Sequence, residues 1–278
     1  MANTLDTYAD ALIMECLLTK DSGAIGNEYI DDVITSLRPY VFASFTDLDT
    51  VSLPNVTVIP EGAFFETEVE TDLDLDWSRI TSIGRLAFYA SDCITDSTLT
   101  LSACTSIGLC AFNDAVLSNV VLSEWTGTLT PAAFSTAYGE YSIINSSYRG
   151  IFSGSSIQTL SAPKLTEMPA YFCRGCTSLT SVNLPLAESA AMDAFFGCTS
   201  LTSVYLPKAT RIASEAFSGC SLLASVSLPL VESLASYAFN GCTALTDFSA
   251  PSLTTVTASY VFNSCTSVFH ERGGSGTS

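Results

Sequence analysis

Residues 66–77 read ETEVETDLDLDW, with an acid at every even position: Glu66, Glu68, Glu70, Asp72, Asp74 and Asp76. Carboxylates that alternate along an extended segment lie on one side of it, and such an array of hard oxygens suits a calcium ion or a cationic ligand. The same pattern also describes the wet side of a strand whose dry side is buried. Like charges this close repel without a counter-ion, and no D-x-D-x-D-G loop of the EF-hand kind accompanies them. The solvated face is the preferred reading, with Asp72 and Asp74 kept as a calcium candidate. No other metal and no cofactor is expected.

The ten cysteines are the next candidates. Cys176, Cys198, Cys220, Cys242 and Cys265 recur at spacings of 22, 22, 22 and 23. A ladder of small buried thiols accounts for this, although neighbouring rungs lie within bridging distance; free thiols are the expectation. Cys173 and Cys176 form a C-x-x-C, but no second pair and no histidine lies near them in sequence, so neither zinc nor redox chemistry is expected. The only histidine, His270, sits in the tail. That removes His-dependent Ser and Cys nucleophiles from the folded part. No glycine loop shaped to cradle phosphate is present, and the chain is expected not to be an enzyme.

A repeat positions these residues. LTSVNLPLAESAAMDAFFGCTS, LTSVYLPKATRIASEAFSGCSL and LASVSLPLVESLASYAFNGCTA align without gaps at a period of 22. Each unit runs L-x-x-V-x-L-P, then an apolar residue five after the Pro, Phe ten after it and Cys thirteen after it. In V-x-L both side chains face one way, as a short strand requires, and Pro ends the strand by removing a ladder donor. IASEAFSGC spaces Ile212, Ala216, Phe217 and Cys220 for a single helical turn or tight bend. Gly197, Gly219 and Gly241 suit a turn that needs positive φ. Backward, units end at Phe134, Phe112, Phe88 and Phe64, with a half-unit at Phe42; forward, one ends at Phe262. Met168 keeps phase and Cys173 takes a Phe slot, while 135–156 fits worst and is assigned to an irregular repeat or loop.

No unit can bury its Leu, Val, Ile and Phe alone, but stacked units bury them in one core. The fold class is therefore a repeat solenoid of about ten turns of 22–24 residues, with a parallel β-sheet on one face and short helical turns or bends on the other. Before it, NTLDTYADALIMECLLTK reads as a helix with Leu5, Tyr8, Leu12, Ile13, Cys16 and Leu17 on one face and Asn3 or Thr4 as N-cap. Residues 1–29 are assigned to a capping helix and linker, 30–268 to the solenoid, and 269–278 to a flexible tail whose GGSGTS looks like a linker or fusion scar. No cap is legible at the C-terminal end, which leaves self-association open there.

The string x-L-P-x-x-x-x-I-x-x-x-A-F-x-G-C-x-x-L-x-x-V resembles the BspA-like, or Treponema pallidum-type, leucine-rich repeat, over about residues 33–268. The Asn or Cys of the ordinary leucine-rich repeat is replaced here by Ala187, Ala209, Val231 and Leu253, so no Asn ladder is expected. The resemblance implies a leucine-rich-repeat horseshoe of the α/β type, used for recognition. Family members resemble surface adhesins of bacteria and mucosal protists that bind host matrix proteins or cells. Similar repeats headed by a short helix look like prophage-encoded proteins of gut Firmicutes, which this chain resembles more closely through its D-A-L-I-like start and missing leader.

The strand phase leaves a polar row pointing outward: Asp72, Asp74, Thr98, Thr100 and Asn119, then Thr159, Ser161, Ser181, Asn183, Ser203, Tyr205, Ser225 and Asp247. This row is the expected ligand-binding face, for a protein or a glycan receptor. Net charge is −18 over 278 residues, and residues 1–100 carry 18 acids against four bases, a net of −14. Nucleic acid and anionic membranes, which need a positive footprint, are poor partners. No apolar stretch reaches the roughly 18 residues of a membrane span, and no basic n-region marks a signal peptide. The expected role is a surface adhesin or a phage-associated receptor-binding protein, extracellular or on a virion. The alternative is an assembly element of a virion or cell surface with no ligand of its own. A glycosidase carboxylate pair is left open by sequence, but a solenoid sheet without a pocket is a poor place for one.

Overall fold

The computed structural model describes residues 28–46, 48–127, 150–254, 256 and 258–265, with residues 70–72 described by backbone alone. The capping helix expected before Glu28 and the tail 269–278 lie outside these residues. Ten strands build the main ladder, in three separately bonded sheets that part between β4 and β6 and between β10 and β12: β1 (Glu28–Ile30), β2 (Leu48–Ser52), β4 (Val69–Asp74), β6 (Thr98–Leu101), β8 (Asn119–Leu122), β9 (Thr159–Ser161), β10 (Ser181–Asn183), β12 (Ser203–Tyr205), β14 (Ser225–Ser227) and β16 (Asp247–Ser249). Between them run the two-residue strands β3 (Val58–Ile59), β5 (Ser82–Ile83), β7 (Ser106–Ile107), β11 (Ser189–Ala190), β13 (Arg211–Ile212) and β15 (Ser233–Leu234). All pairings are parallel. The result is a β-solenoid in which the chain rises by one strand per turn.

The V-x-L phase sets the register. Val204 pairs with Val226, and Val226 with Phe248, so inward residues stack on their counterparts. Leu99 and Leu101 are buried while Thr98 and Thr100 are exposed. The apolar residue at this mid-unit slot sits on a second ladder in most turns, where Ile59, Ile83 and Ile107 form one inward column and Ala190, Ile212 and Leu234 another; Met168 and Val256, five after Pro163 and Pro251, lie in no strand.

The phenylalanines fill the centre. Phe42, Phe64, Phe88, Phe112 and Phe152 stack face to face at 5.1–5.3 Å. Phe195, Phe217 and Phe239 do the same at 5.3 Å, with interplanar angles of 9° and 6°. Between the two runs the backbone slot belongs to Cys173, whose N–H donates to the Ala194 carbonyl as Phe195 N–H donates to that of Ala216. The ring comes instead from Phe172, one residue earlier, which meets Phe152 and Phe195 edge-on at 70° and 74°. Trp125 lies over that same ring at 5.7 Å.

Three expectations are corrected. The ring slot after Phe112 is held by Phe152, because β8 pairs directly with β9, and Phe134 lies outside the described residues. One enlarged turn spans what spacing divides into two, so nine turns separate the ten strands of the ladder. No helix occurs among the described residues, so the solenoid is not of the α/β type. In the arc around Phe217, alternate N–H groups leave the turn: Glu215, Phe217 and Gly219 donate to Ser236, Ala238 and Asn240 of the next turn. Ala216, Ser218 and Cys220 close back three residues. Glu215 and Gly219 hold φ of 57° and 76°, which interrupts any helix.

Candidate functional site

The outward row of the main ladder is where the sequence places it. Asp74, Thr98, Thr100, Ser181, Asn183, Ser203, Tyr205 and Asp247 are exposed, and Asn119, Thr159, Ser161 and Ser225 are half-buried. The Asp72 backbone pairs with Thr50 in the same row. Within each of the three sheets these positions form two files about 4.8 Å apart from rung to rung, because their strands pair in parallel. Glu28 and Ile30 extend the files at the N-terminal end, registered on Thr50 and Ser52. They fall at the boundary drawn at residue 30, and the signal for them is Tyr29, the single inward side chain of β1.

Several of these side chains bond sideways to the next rung. Ser52 Oγ donates to Asp74 Oδ2 at 2.6 Å, Thr159 Oγ1 to Asn119 Oδ1 at 2.6 Å, and Asn183 Nδ2 to Ser161 Oγ at 3.0 Å. Ser225 Oγ donates to Asp247 Oδ2 at 3.2 Å. A further file, one residue before the strands, donates to backbone: Thr180, Thr202 and Thr246 reach the Gln158, Thr180 and Ala224 carbonyls. Such lateral bonds hold the face in one geometry before any ligand arrives, which lowers the ordering cost of binding. Thr98, Thr100, Ser181, Ser203 and Tyr205 make no side-chain hydrogen bond among the described residues, so their polar atoms remain available.

The acidic stretch does not run along one strand. Only Glu70, Asp72 and Asp74 belong to β4. Glu66 sits on the preceding arc with φ of 51°, and Thr67 beside it is buried, donating to the Phe42 carbonyl at 2.6 Å. Leu73 and Leu75 are buried and Asp74 is exposed, as strand alternation requires. Among the described residues no group of three His, Cys, Asp or Glu side chains converges to hold a metal.

The cysteine ladder lies inside. Cys176, Cys198, Cys220, Cys242 and Cys265 are buried thiols. Each Sγ donates to the carbonyl of the ring-slot residue one turn back: Phe152, Cys173, Phe195, Phe217 and Phe239, at 2.8–3.2 Å. Thr67 and Ser91 fill the same slot in earlier turns and make the same bond, to Phe42 and Phe64. Burial pushes the Cys220 thiol up to about 12 and the Cys104 thiol up to about 11. Burial likewise raises Cys173, where the neighbouring Cys176 adds to the effect. Cys220, Cys104 and Cys173 are thereby held as neutral thiols at neutral pH. Away from the sheet face, Glu61 Oε1 accepts from Arg85 Nη2 at 2.5 Å and from Tyr40 Oη at 2.9 Å, tying three successive arcs.

A family model for the BspA type leucine rich repeat region matches residues 21–140 and 145–269, in six copies. The chain belongs to the BspA-type leucine-rich repeat family. Solved structures with similar folds include a leucine-rich repeat protein from Bacteroides ovatus, 18% identical, covering 88% of this chain and 77% of that one with a TM-score of 0.38. Another, from Eubacterium ventriosum, is 20% identical, covers 88% and 84%, and has a TM-score of 0.38. A leucine rich cell surface protein from Faecalibacterium prausnitzii is 19% identical, covers 87% and 62%, and has a TM-score of 0.39. No curated protein matches. No helix among the described residues of this BspA-type chain is long and apolar enough to cross a membrane.

Proposed function

We propose that this BspA-type solenoid is a non-catalytic recognition scaffold that binds a protein or glycan through the polar face of its main ladder. The observation that supports this is the face itself: along the ten strands the described inward positions are buried, or partly so at Val182 and Phe248, while none of the described outward positions is buried. Turns of a solenoid stabilise one another through the core between them, so the outward row is free to vary with a ligand. In this reading residues 30–268 are the recognition module, 1–29 its cap and 269–278 a linker. Its setting is a cell surface or a virion, as an adhesin or a prophage-encoded receptor-binding protein.

Binding of the isolated chain to panels of matrix proteins and glycans tests the proposal, with Tyr205→Ala and the pair Asp72→Asn and Asp74→Asn as face variants. Retention by at least one ligand, reduced by a face variant, is expected. No binding anywhere, together with concentration-dependent self-association, would favour an assembly element instead. The carboxylates Asp72 and Asp74 are the cation arm of the proposal; a calcium titration that leaves the melting temperature unmoved removes that arm.

A further inference from the structure

We infer that the ligand of this face is a neutral, β-linked hexose chain lying along the ladder with Tyr205 as its stacking platform. The inference rests on the recognition role proposed above and narrows it to one class of partner. Charge is the first argument. The chain carries a net −18, yet no outward strand position from Thr98 to Ser227 holds a charged side chain. An uncharged ligand suits that stretch, whereas an acidic polysaccharide meets the repulsion of the whole molecule.

The second argument is the local chemistry. Tyr205 is 62% exposed, and its ring leaves a large apolar surface in water on an otherwise small-residue face. The carbon-bound hydrogens on one side of a pyranose cover such a ring, while the sugar hydroxyls around the rim seek planar polar groups. Those groups are in place. Ser227 stands one turn after Tyr205, in register, and Asn183 holds the same strand position one repeat before it, at the end of the neighbouring sheet. Ser203 shares its strand, and Ser225 with Asp247 continues that file. A protein partner normally needs a cluster of aromatic or Arg anchors around a desolvated centre. Here a single ring stands among hydroxyls.

Geometry is the third. Rungs repeat at about 4.8 Å, close to the length of one sugar in an extended β-linked ribbon. Along β12, β14 and β16 successive sugars therefore meet successive strands, and the lateral Ser225–Asp247 bond keeps the last two of those rungs in place.

Calorimetric titration of the full chain with cellohexaose and mannohexaose, against an oligogalacturonate of the same length, tests this at low and high salt. Binding of a neutral hexamer that does not change with salt is expected. Tyr205→Ala should weaken it about tenfold and Tyr205→Trp should preserve it, each with an unchanged melting temperature. Three results would overturn the inference: no neutral hexamer binds, the galacturonate binds more tightly, or Tyr205→Ala binds as well as the parent. Should a protein ligand bind, with Ser203→Arg abolishing it and no glycan retained, the glycan falls and the recognition role stands.

Discussion

Cys220 Sγ donates to the Phe195 carbonyl at 3.1 Å, and Cys198 and Cys242 make the same contact one turn away on either side. The Phe195 carbonyl also accepts the Cys198 N–H, so the thiol supplies a second bond to a buried acceptor. A hydroxyl does the same at Thr67. Cys220→Ser should therefore keep the bond and stay within about 1 kcal/mol of the parent. Cys220→Ala loses the bond and leaves a small void, and Cys220→Val overfills the slot at about 1–3 kcal/mol. Urea denaturation of the three variants checks this; a Ser variant less stable than the Ala variant contradicts it. The raised thiols also set a pH dependence. Folded Cys220 keeps its proton up to about 12, against an ordinary thiol value of 9.0. Above that ordinary value the unfolded chain binds fewer protons than the folded one, so stability falls as pH rises. Stability should be level below about pH 9 and decline from there towards 12, as denaturation midpoints across that range will show. The cysteine period is legible in sequence, but its bonding is not, because the slot changes from Thr67 and Ser91 to Cys and hides a shared donor behind different residue types.

Two kinds of glycine hold the elements in place. Gly219 takes φ of 76°, and a Cβ there would meet Gly197 at 3.6 Å, an ordinary contact. Gly219→Ala should cost about 1 kcal/mol, for backbone conformation alone. At Gly108 a Cβ would stand 2.2 Å from the Arg85 nitrogen and 2.5 Å from the Gly84 carbonyl carbon, both backbone of the turn below. Gly108→Ala must push two turns apart and should cost about 3 kcal/mol or more. Paired melting curves separate the two; equal losses would contradict the distinction. The positive φ at Gly197, Gly219 and Gly241 is predictable from their place before Cys. The matching left-handed residue two before each ring slot is not, because it is Leu86, Cys110, Asp193, Glu215 or Tyr237. Such residues rarely adopt that conformation. At Leu86, Asp193, Glu215 and Tyr237 the next turn's carbonyls capture the N–H group, a tertiary effect that local spacing does not carry. The same effect makes the arc a tight bend of alternating bonds between and within turns, the second of the two shapes that its spacing allows.

Across the whole molecule the stack is continuous from Phe42 to Phe262, even where Cys173 takes a ring slot and Phe172 supplies the ring from beside it. From Asp74 to Asp247 the outward row is legible because strand alternation follows from V-x-L alone, whereas Glu28 and Ile30, ahead of the first full unit, are not. The turn count is not, because the join from β8 to β9 skips from residue 122 to 159 and no local period marks it. What the stack leaves free is one polar wall, and the account depends on that wall and not the arcs meeting the ligand. The direct measurement is retention on the best ligand panel of a wall-blocked protein, Ser181→Arg with Ser225→Arg, beside an arc-blocked one, Met192→Arg with Leu222→Arg, all folded by circular dichroism. Loss of binding in the wall-blocked protein, with the arc-blocked one unchanged, is the predicted result; the reverse pattern would contradict the account.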